Sequence, residues 1–302
     1  MPRLPSTFSL GILIMSLKLL IALVLTVLAG TLVALAGSQG GATAGSMPVF
    51  LICGILAFGV NWLAFIPANA AKTEKFYDLT GSFTYLMLMI VACALSAPLD
   101  LRSGIIAVMV VVWALRLGSF LFLRIRADGG DQRFDAIKQS PARFFLVWTM
   151  QGIWVLLTSA SALIIITNDT RLDLDIFAYT GIVLWLAGFL IEVVSDRQKR
   201  KFRKNPANKG RFISTGLWAW SRHPNYFGEI LLWTGVTVAS LPVLSGWQWV
   251  TIISPIFVAL LIIRISGVPK LEAHAKRKWG AEQEYIDYVA SVPVLIPRPP
   301  QS

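Results

Sequence analysis

The sequence predicts an all-α integral membrane protein, a polytopic transmembrane helix bundle of about eight spans. Three observations carry this. Of 302 residues, 56% are hydrophobic and only 14% charged, a balance more apolar than a soluble domain of this length carries. The apolar residues fall in separate runs close to the roughly 20 residues that cross a hydrocarbon core about 30 Å thick as helix. Lysine and arginine gather in alternate loops, as they do where basic loops stay on the cytoplasmic side.

The first span is expected over residues 8–36, behind Arg3. Its apolar run exceeds the roughly 7–15 residues of a secretory signal, so it reads as a retained anchor. "GSQGGATAGS" at 37–46 is a Gly/Ser-rich linker that sets residues 1–46 apart from an integral membrane domain over 47–302. Within that domain the remaining spans are expected near 47–66, 80–98, 104–123, 144–166, 175–194, 226–243 and 247–265. Cys53 and Cys93 lie inside spans, where a thiol acts as a small apolar group, and two cysteines make no disulfide framework.

The net charge of +11 does not point to nucleic acid, because the basic residues follow loop parity. Arg3, Lys72 and Lys75, the loop from Arg124 to Arg143, the run from Arg197 to Arg222 and the C-terminal tail share one side. Arg102 and Arg171 fall on the other, and Lys18 and Arg116 within helices. Both termini and the basic loops are therefore expected in the cytoplasm, with membrane lipids as partners. "NDT" at Asn168 forms a glycosylation acceptor pattern if its loop faces a secretory lumen.

Polar residues that interrupt the apolar pattern are the candidate site. In "SRHPNYFGEILLW", residues 221–233, Pro224 suits the first turn of a helix, and "STGLWAWSRH" before it reads as an approach loop. Arg222, Tyr226, Glu229 and Trp233 recur at helical spacing and are expected to form one stripe. A helix N-terminus flanked by Arg222 and His223 attracts phosphate; the same residues also suit interfacial anchoring. In "IEVVSDRQKRKFRKNPANKGR", Glu192, Asp196, Lys199 and Arg203 share a helix face, acids on the deeper turn. Arg116 interrupts "VMVVVWALRLGSFLFL" too deep for easy snorkelling and needs a partner, with Asp78, Glu192 and Glu229 as candidates. The tail "EAHAKRKWGAEQEYIDY" is amphipathic and is read as lying along the surface or capping a ligand. His223 and His274 are the only histidines and neither has a nearby ligand set, so no metal is expected.

"SRHPNYFGEILLWTG", with "DRQKRKFRKNP" upstream and "GAEQEYIDY…IPRP" at the end, resembles the DUF1295 family, which is similar to the steroid 5-alpha-reductase C-terminal domain and, more distantly, to sterol reductases. The resemblance runs from about residue 60 to 298, and leaves the first helix as an addition to a seven-span reductase-like core. It implies an NADPH-dependent reductase of a carbon–carbon double bond in a lipid. Its nucleotide contacts would fall on Asp196, Arg203, Arg211, Asn225, Glu229 and Trp233, with Arg116 and Arg124 as further contacts and Arg264 beyond them. Arg222 and His223 join them as phosphate attractors. The candidate catalytic residues are Asp78, Tyr226 and Glu229. Asp78 falls at the family's acid position, but Trp113 stands where the family places its tyrosine, so Tyr77 or Tyr85 would have to supply a phenol. Two other classes stay open. One is an S-adenosylmethionine-dependent isoprenylcysteine or phospholipid methyltransferase, which shares an Arg-His-Pro-x-Tyr segment; the other is a lipid-binding protein without catalysis.

Overall fold

The structure, a computed structural model, describes the backbone of residues 6–300, with side chains described from residue 17 and not at 127 and 128. Arg3, expected on the cytoplasmic side, lies outside the described residues. Among the described residues, eight helical segments are long and apolar enough to cross a membrane. The chain divides into two compact units: residues up to Asp173 with Val243–Thr251, and Leu174–Pro242 with Ile252 onward.

The first unit holds α1 (Ser6–Gly37), α2 (Val49–Ala70), α3 (Tyr77–Leu95), α4 (Leu101–Asp128) and α5 (Pro141–Thr167). A two-residue hairpin, β1 (Thr43–Ala44) and β2 (Met47–Pro48), closes the linker between α1 and α2. Helix α5 is the hub, packed against each of the other four. It suits that place because "GIWVLLTSASALIIIT" is apolar or small on every side, the pattern of a helix surrounded by protein. Gly152 permits the closest approach: a Cβ there would meet the Ala57 carbonyl of α2 at 2.9 Å. Two serine hydroxyls on α5 find backbone acceptors, Ser159 on Val155 and Ser161 on Thr251. The Thr251 carbonyl is available because Pro255, four residues on, has no N–H to offer it.

The two arginines that break the loop-charge rule have structural duties here. Arg171 donates to the Ile166 carbonyl at the end of α5 (3.1 Å) and to the Ser96 carbonyl just past α3 (2.8 Å). Its charge thus sits on two helix C-termini, where the dipole favours a cation. Arg102 is buried and donates to the Asp173 carbonyl at 2.6 Å. Asp100 caps α4 by accepting from the Ser103 N–H at 2.8 Å and also holds the Leu172 N–H at 3.3 Å. Asn168, the residue of the glycosylation pattern, is 2% exposed. Its amide donates to the Val243 carbonyl (2.7 Å) and to Gln248 (3.1 Å), so it is a structural bolt closed to a modifying enzyme.

The second unit holds α6 (Ile176–Lys204), α7 (Pro224–Ser240), α8 (Ile253–Leu260), α9 (Val268–Trp279) and α10 (Gln283–Ser291). Helices α6 and α7 run in close contact through paired glycines. A Cβ on Gly188 would lie 2.5 Å from the Gly228 carbonyl, and one on Gly181 would lie 2.5 Å from the Gly235 carbonyl. Membrane helices pack this way because small residues admit the neighbouring backbone. The eighth span differs from the regular helix expected over 247–265. It runs as a 3-10 segment (Gly246–Ile252), α8 and a π-helical turn (Leu261–Ile265). Pro255 is the reason for the first irregularity, since it cannot continue the i→i−4 ladder backwards.

Candidate functional site

In the second unit the candidate residues gather where α6 and α7 meet. Glu192 (3% exposed) and Asp196 (8%) are buried on α6. Asn225, in the first turn of α7, donates from Nδ2 to Asp196 Oδ1 at 3.3 Å. Lys199, one turn further along α6, lies 4.3 Å from the centre of the Trp218 ring, and the indole of Trp218 donates to the Ser195 carbonyl at 3.0 Å. Trp233 is fully buried in α7, and Tyr226 and Glu229 are half-buried. Arg203 is exposed on the last turn of α6 and Arg264 is exposed in the π-helical turn. Arg211 is also exposed, and pairs with Glu284 of α10 at 3.5 Å.

Arg222 departs from the expected stripe. Helix α7 begins at Pro224, so Arg222 precedes it and turns to α9, where its Nη1 donates to Glu272 Oε2 at 2.5 Å. His223 Nε2 meets Oε1 of the same carboxylate at 2.7 Å. The imidazole also stacks on Tyr226, with ring centres 5.6 Å apart and planes 15° off parallel. Glu272 escaped the sequence reading; its only signal is being the one acid in a helix otherwise carrying Lys270, Lys276, Arg277 and Lys278.

The C-terminal tail makes this end of α7 rigid. It is bonded to the approach loop. Arg222 N–H donates to the Pro293 carbonyl (2.9 Å), Ser221 Oγ to the Leu295 carbonyl (2.8 Å), and Arg298 N–H to the Trp220 carbonyl (2.9 Å). Phe212 enters an aromatic cluster with Trp279, Tyr285 and Tyr288. Burial pushes the Tyr288 phenol above its ordinary range, and its hydroxyl donates to the Trp218 carbonyl at 2.7 Å. A groove of about 340 Å³ runs beside the loop, with Gln198, Lys201, Asn205 and Thr215 in its wall.

In the first unit, Asp78 stands in the first turn of α3, 3.8 Å from Arg124 Nη2 on α4. Arg116 lies over the Phe120 ring at 5.5 Å. Trp113 is buried and meets Tyr85 edge to face, ring centres 5.1 Å apart. Tyr77 donates its hydroxyl to the Val147 carbonyl at 3.1 Å, which leaves it poorly placed to polarise a substrate. Among the described residues, no cluster of three metal-ligating side chains occurs.

The residues of the second unit fit an anionic, hydroxyl-rich ligand. Arg222 Nε and His223 Nδ1 are buried without a hydrogen-bond partner, and a helix N-terminus beside a guanidinium is a setting that suits an anion. What the fold and these residues define is an integral membrane helix bundle with a basic, hydrogen-bonding end on α6 and α7. The profile of DUF1295, described as a protein of unknown function, matches residues 64–292, and the chain belongs to that family. Among curated proteins it is similar to 3-oxo-5-alpha-steroid 4-dehydrogenase 1 of Bos taurus, 37% identical over 23% of this chain and 27% of the relative. It is also similar to the Rattus norvegicus protein of the same name, 29% identical over 39% of this chain and 40% of the relative. A probable O-methyltransferase, ustE of Ustilaginoidea virens, is 34% identical over 22% of this chain and 24% of the relative. The chain thus spans between about a quarter and two fifths of the length of these relatives. No solved structure matches it.

Proposed function

We propose that the protein is a membrane-embedded, NADPH-dependent reductase of a carbon–carbon double bond in a lipid, a steroid-like or other isoprenoid enone. The observation that carries this reading is the end of α7, where Asn225 joins Asp196 and Arg222 and His223 flank a helix N-terminus. The names of the mammalian relatives support it. Loop charge supports an orientation with both termini and the basic loops in the cytoplasm, where a soluble nucleotide is available.

NADPH, when bound, supplies hydride to one carbon of the double bond. Arg222 and the first-turn N–H groups of α7 hold phosphate, while His223, Asp196, Asn225 and Glu229 hold hydroxyl and amide groups; Arg203, Arg211, Arg116, Arg124 and Trp233 are proposed as further nucleotide contacts. Asp78 is proposed to give a proton to the other carbon, with Tyr226 a second candidate hydroxyl donor. A reaction site closed to water strengthens such polarisation. Purified protein in detergent with NADPH and a 4-ene-3-oxo steroid should lose nucleotide absorbance at 340 nm. Absence of both turnover and saturable NADPH binding refutes the proposal.

The similarity to a probable O-methyltransferase favours a second reading, a methyl transfer that uses S-adenosylmethionine. Thermal shift separates the two: NADPH raises the melting temperature under the first reading and S-adenosylmethionine under the second.

A further inference from the structure

We propose that Glu272 is a positioning residue that fixes His223 so that Nδ1 accepts a hydrogen bond from a hydroxyl or amide N–H of the bound nucleotide. This rests on the reading of the site as a nicotinamide-nucleotide site. A carboxylate only accepts, so the 2.7 Å contact with Glu272 assigns the proton to His223 Nε2. In the neutral ring this leaves Nδ1 as an acceptor, and it is buried with no partner in the protein. Buried polar atoms normally have partners, so this lone pair marks where a donor from outside the chain belongs.

The ring cannot turn to find one within the protein. Its Nε2 is tied to Glu272, its face is covered by Tyr226, and its backbone N–H donates to Ser221 Oγ at 3.1 Å. Ser221 is itself tied to the tail through the Leu295 carbonyl. The second Glu272 oxygen takes Arg222 Nη1 at 2.5 Å, so one carboxylate orients two neighbouring groups at the N-terminus of α7. Hydrogen bonds to an imidazole nitrogen lie in the ring plane, so the Tyr226 stack does not block Nδ1. Because Nδ1 is shielded from solvent, the nucleotide reaches it by displacing neighbouring side chains.

The test measures NADP+ affinity by equilibrium binding to the full chain in detergent, independent of turnover. His223→Gln keeps a donor near Nε2 for Glu272 but removes Nδ1, and is expected to weaken binding about tenfold, the effect of one lost hydrogen bond to a ligand. His223→Asn keeps an amide acceptor near Nδ1 and should bind at least threefold more tightly than His223→Gln. Glu272→Ala should weaken binding about tenfold alone and add less than threefold on the His223→Gln background, because it acts in part through that ring. Melting curves without nucleotide identify any variant that fails to fold, and the remaining pairs then decide. Wild-type protein that binds NADP+ while His223→Gln equals wild type, or exceeds His223→Asn, overturns this inference alone. Wild-type protein without saturable NADP+ binding overturns the functional reading and this inference with it.

Discussion

The contact between α6 and α7 is set by backbone, which makes Gly188→Ala a severe change for a single methyl. The added Cβ would lie 2.5 Å from the Gly228 carbonyl oxygen and 2.6 Å from the Leu232 nitrogen. A carbon meets such an oxygen comfortably at about 3.3 Å or more, so the helices must part by about 0.8 Å. Neither atom belongs to a side chain that can rotate away. A gap of that size forfeits a quarter to a half of each neighbouring dispersion contact, and overpacking of this kind costs about 1–3 kcal/mol. The rigid obstacle argues for the upper end, roughly 2–3 kcal/mol, or a fall in melting temperature of about 4–10 °C. Gly228→Ala meets Gly188 in the same way, at 2.5 Å, and lies one turn from Asn225, so it should also weaken nucleotide binding. Gly59 and Gly104, helical glycines with nothing within 4 Å of a built Cβ, supply the control. Alanine at either should leave the melting temperature unchanged or raise it slightly. If Gly188→Ala and Gly59→Ala melt alike in tryptophan-fluorescence scans, the backbone-contact argument is wrong.

Asp78→Asn should leave NADPH affinity near wild type while lowering turnover by about 100-fold or more, the usual weight of a positioned proton donor; unchanged turnover removes Asp78 from the chemistry. Glu74 gives a pH prediction. Burial favours its neutral form, but the Asp131 N–H (3.0 Å) and Lys138 Nζ (2.9 Å) outweigh it and hold the carboxyl below its ordinary value. A depressed folded value stabilises the protein above the unfolded pKa of about 4.3, and that contribution is lost as pH falls through the folded value. Proteolysis within residues 129–138 should therefore accelerate in wild type as pH drops below about 4.3, and Glu74→Gln should flatten that dependence. Tyr288→Phe deletes the hydrogen bond to the Trp218 carbonyl and should cost about 1 kcal/mol in thermal unfolding, with no effect if the tail is only loosely applied.

Span existence was legible because it depends on a local quantity, the length of an apolar run. The sequence expectation of a helix over 144–166 meets α5 at Pro141–Thr167, and 47–66 meets α2 at Val49–Ala70. Ends were less legible where polar residues continue a helix out of the apolar zone: α6 runs to Lys204, ten residues past the expected end at 194. The eighth span failed as a regular helix because hydropathy does not register a missing N–H, and Pro255 disturbs hydrogen bonding without reducing apolarity. The glycine pairs Gly181–Gly235 and Gly188–Gly228 were also silent in the pattern, since a seven-residue spacing on each of two helices gains meaning only when the helices are set against each other.

The site divides in the same way. Asp196 and Asn225 were visible because polar groups inside apolar runs stand out, and the structure brings them to 3.3 Å. Glu272 was invisible for the opposite reason: it lies in a charged amphipathic helix where one more charge raises no alarm, 49 residues from His223. Its importance comes from burial that only the folded tail creates. The Pro293, Leu295 and Arg298 hydrogen bonds tie the approach loop to the chain that follows α10, and without that clasp Glu272 would grip neither Arg222 nor His223 firmly. Residues 292–298 therefore support the site although none is a candidate ligand contact, and their backbone carbonyls and the Arg298 N–H serve where side-chain identity would leave no trace in composition or spacing.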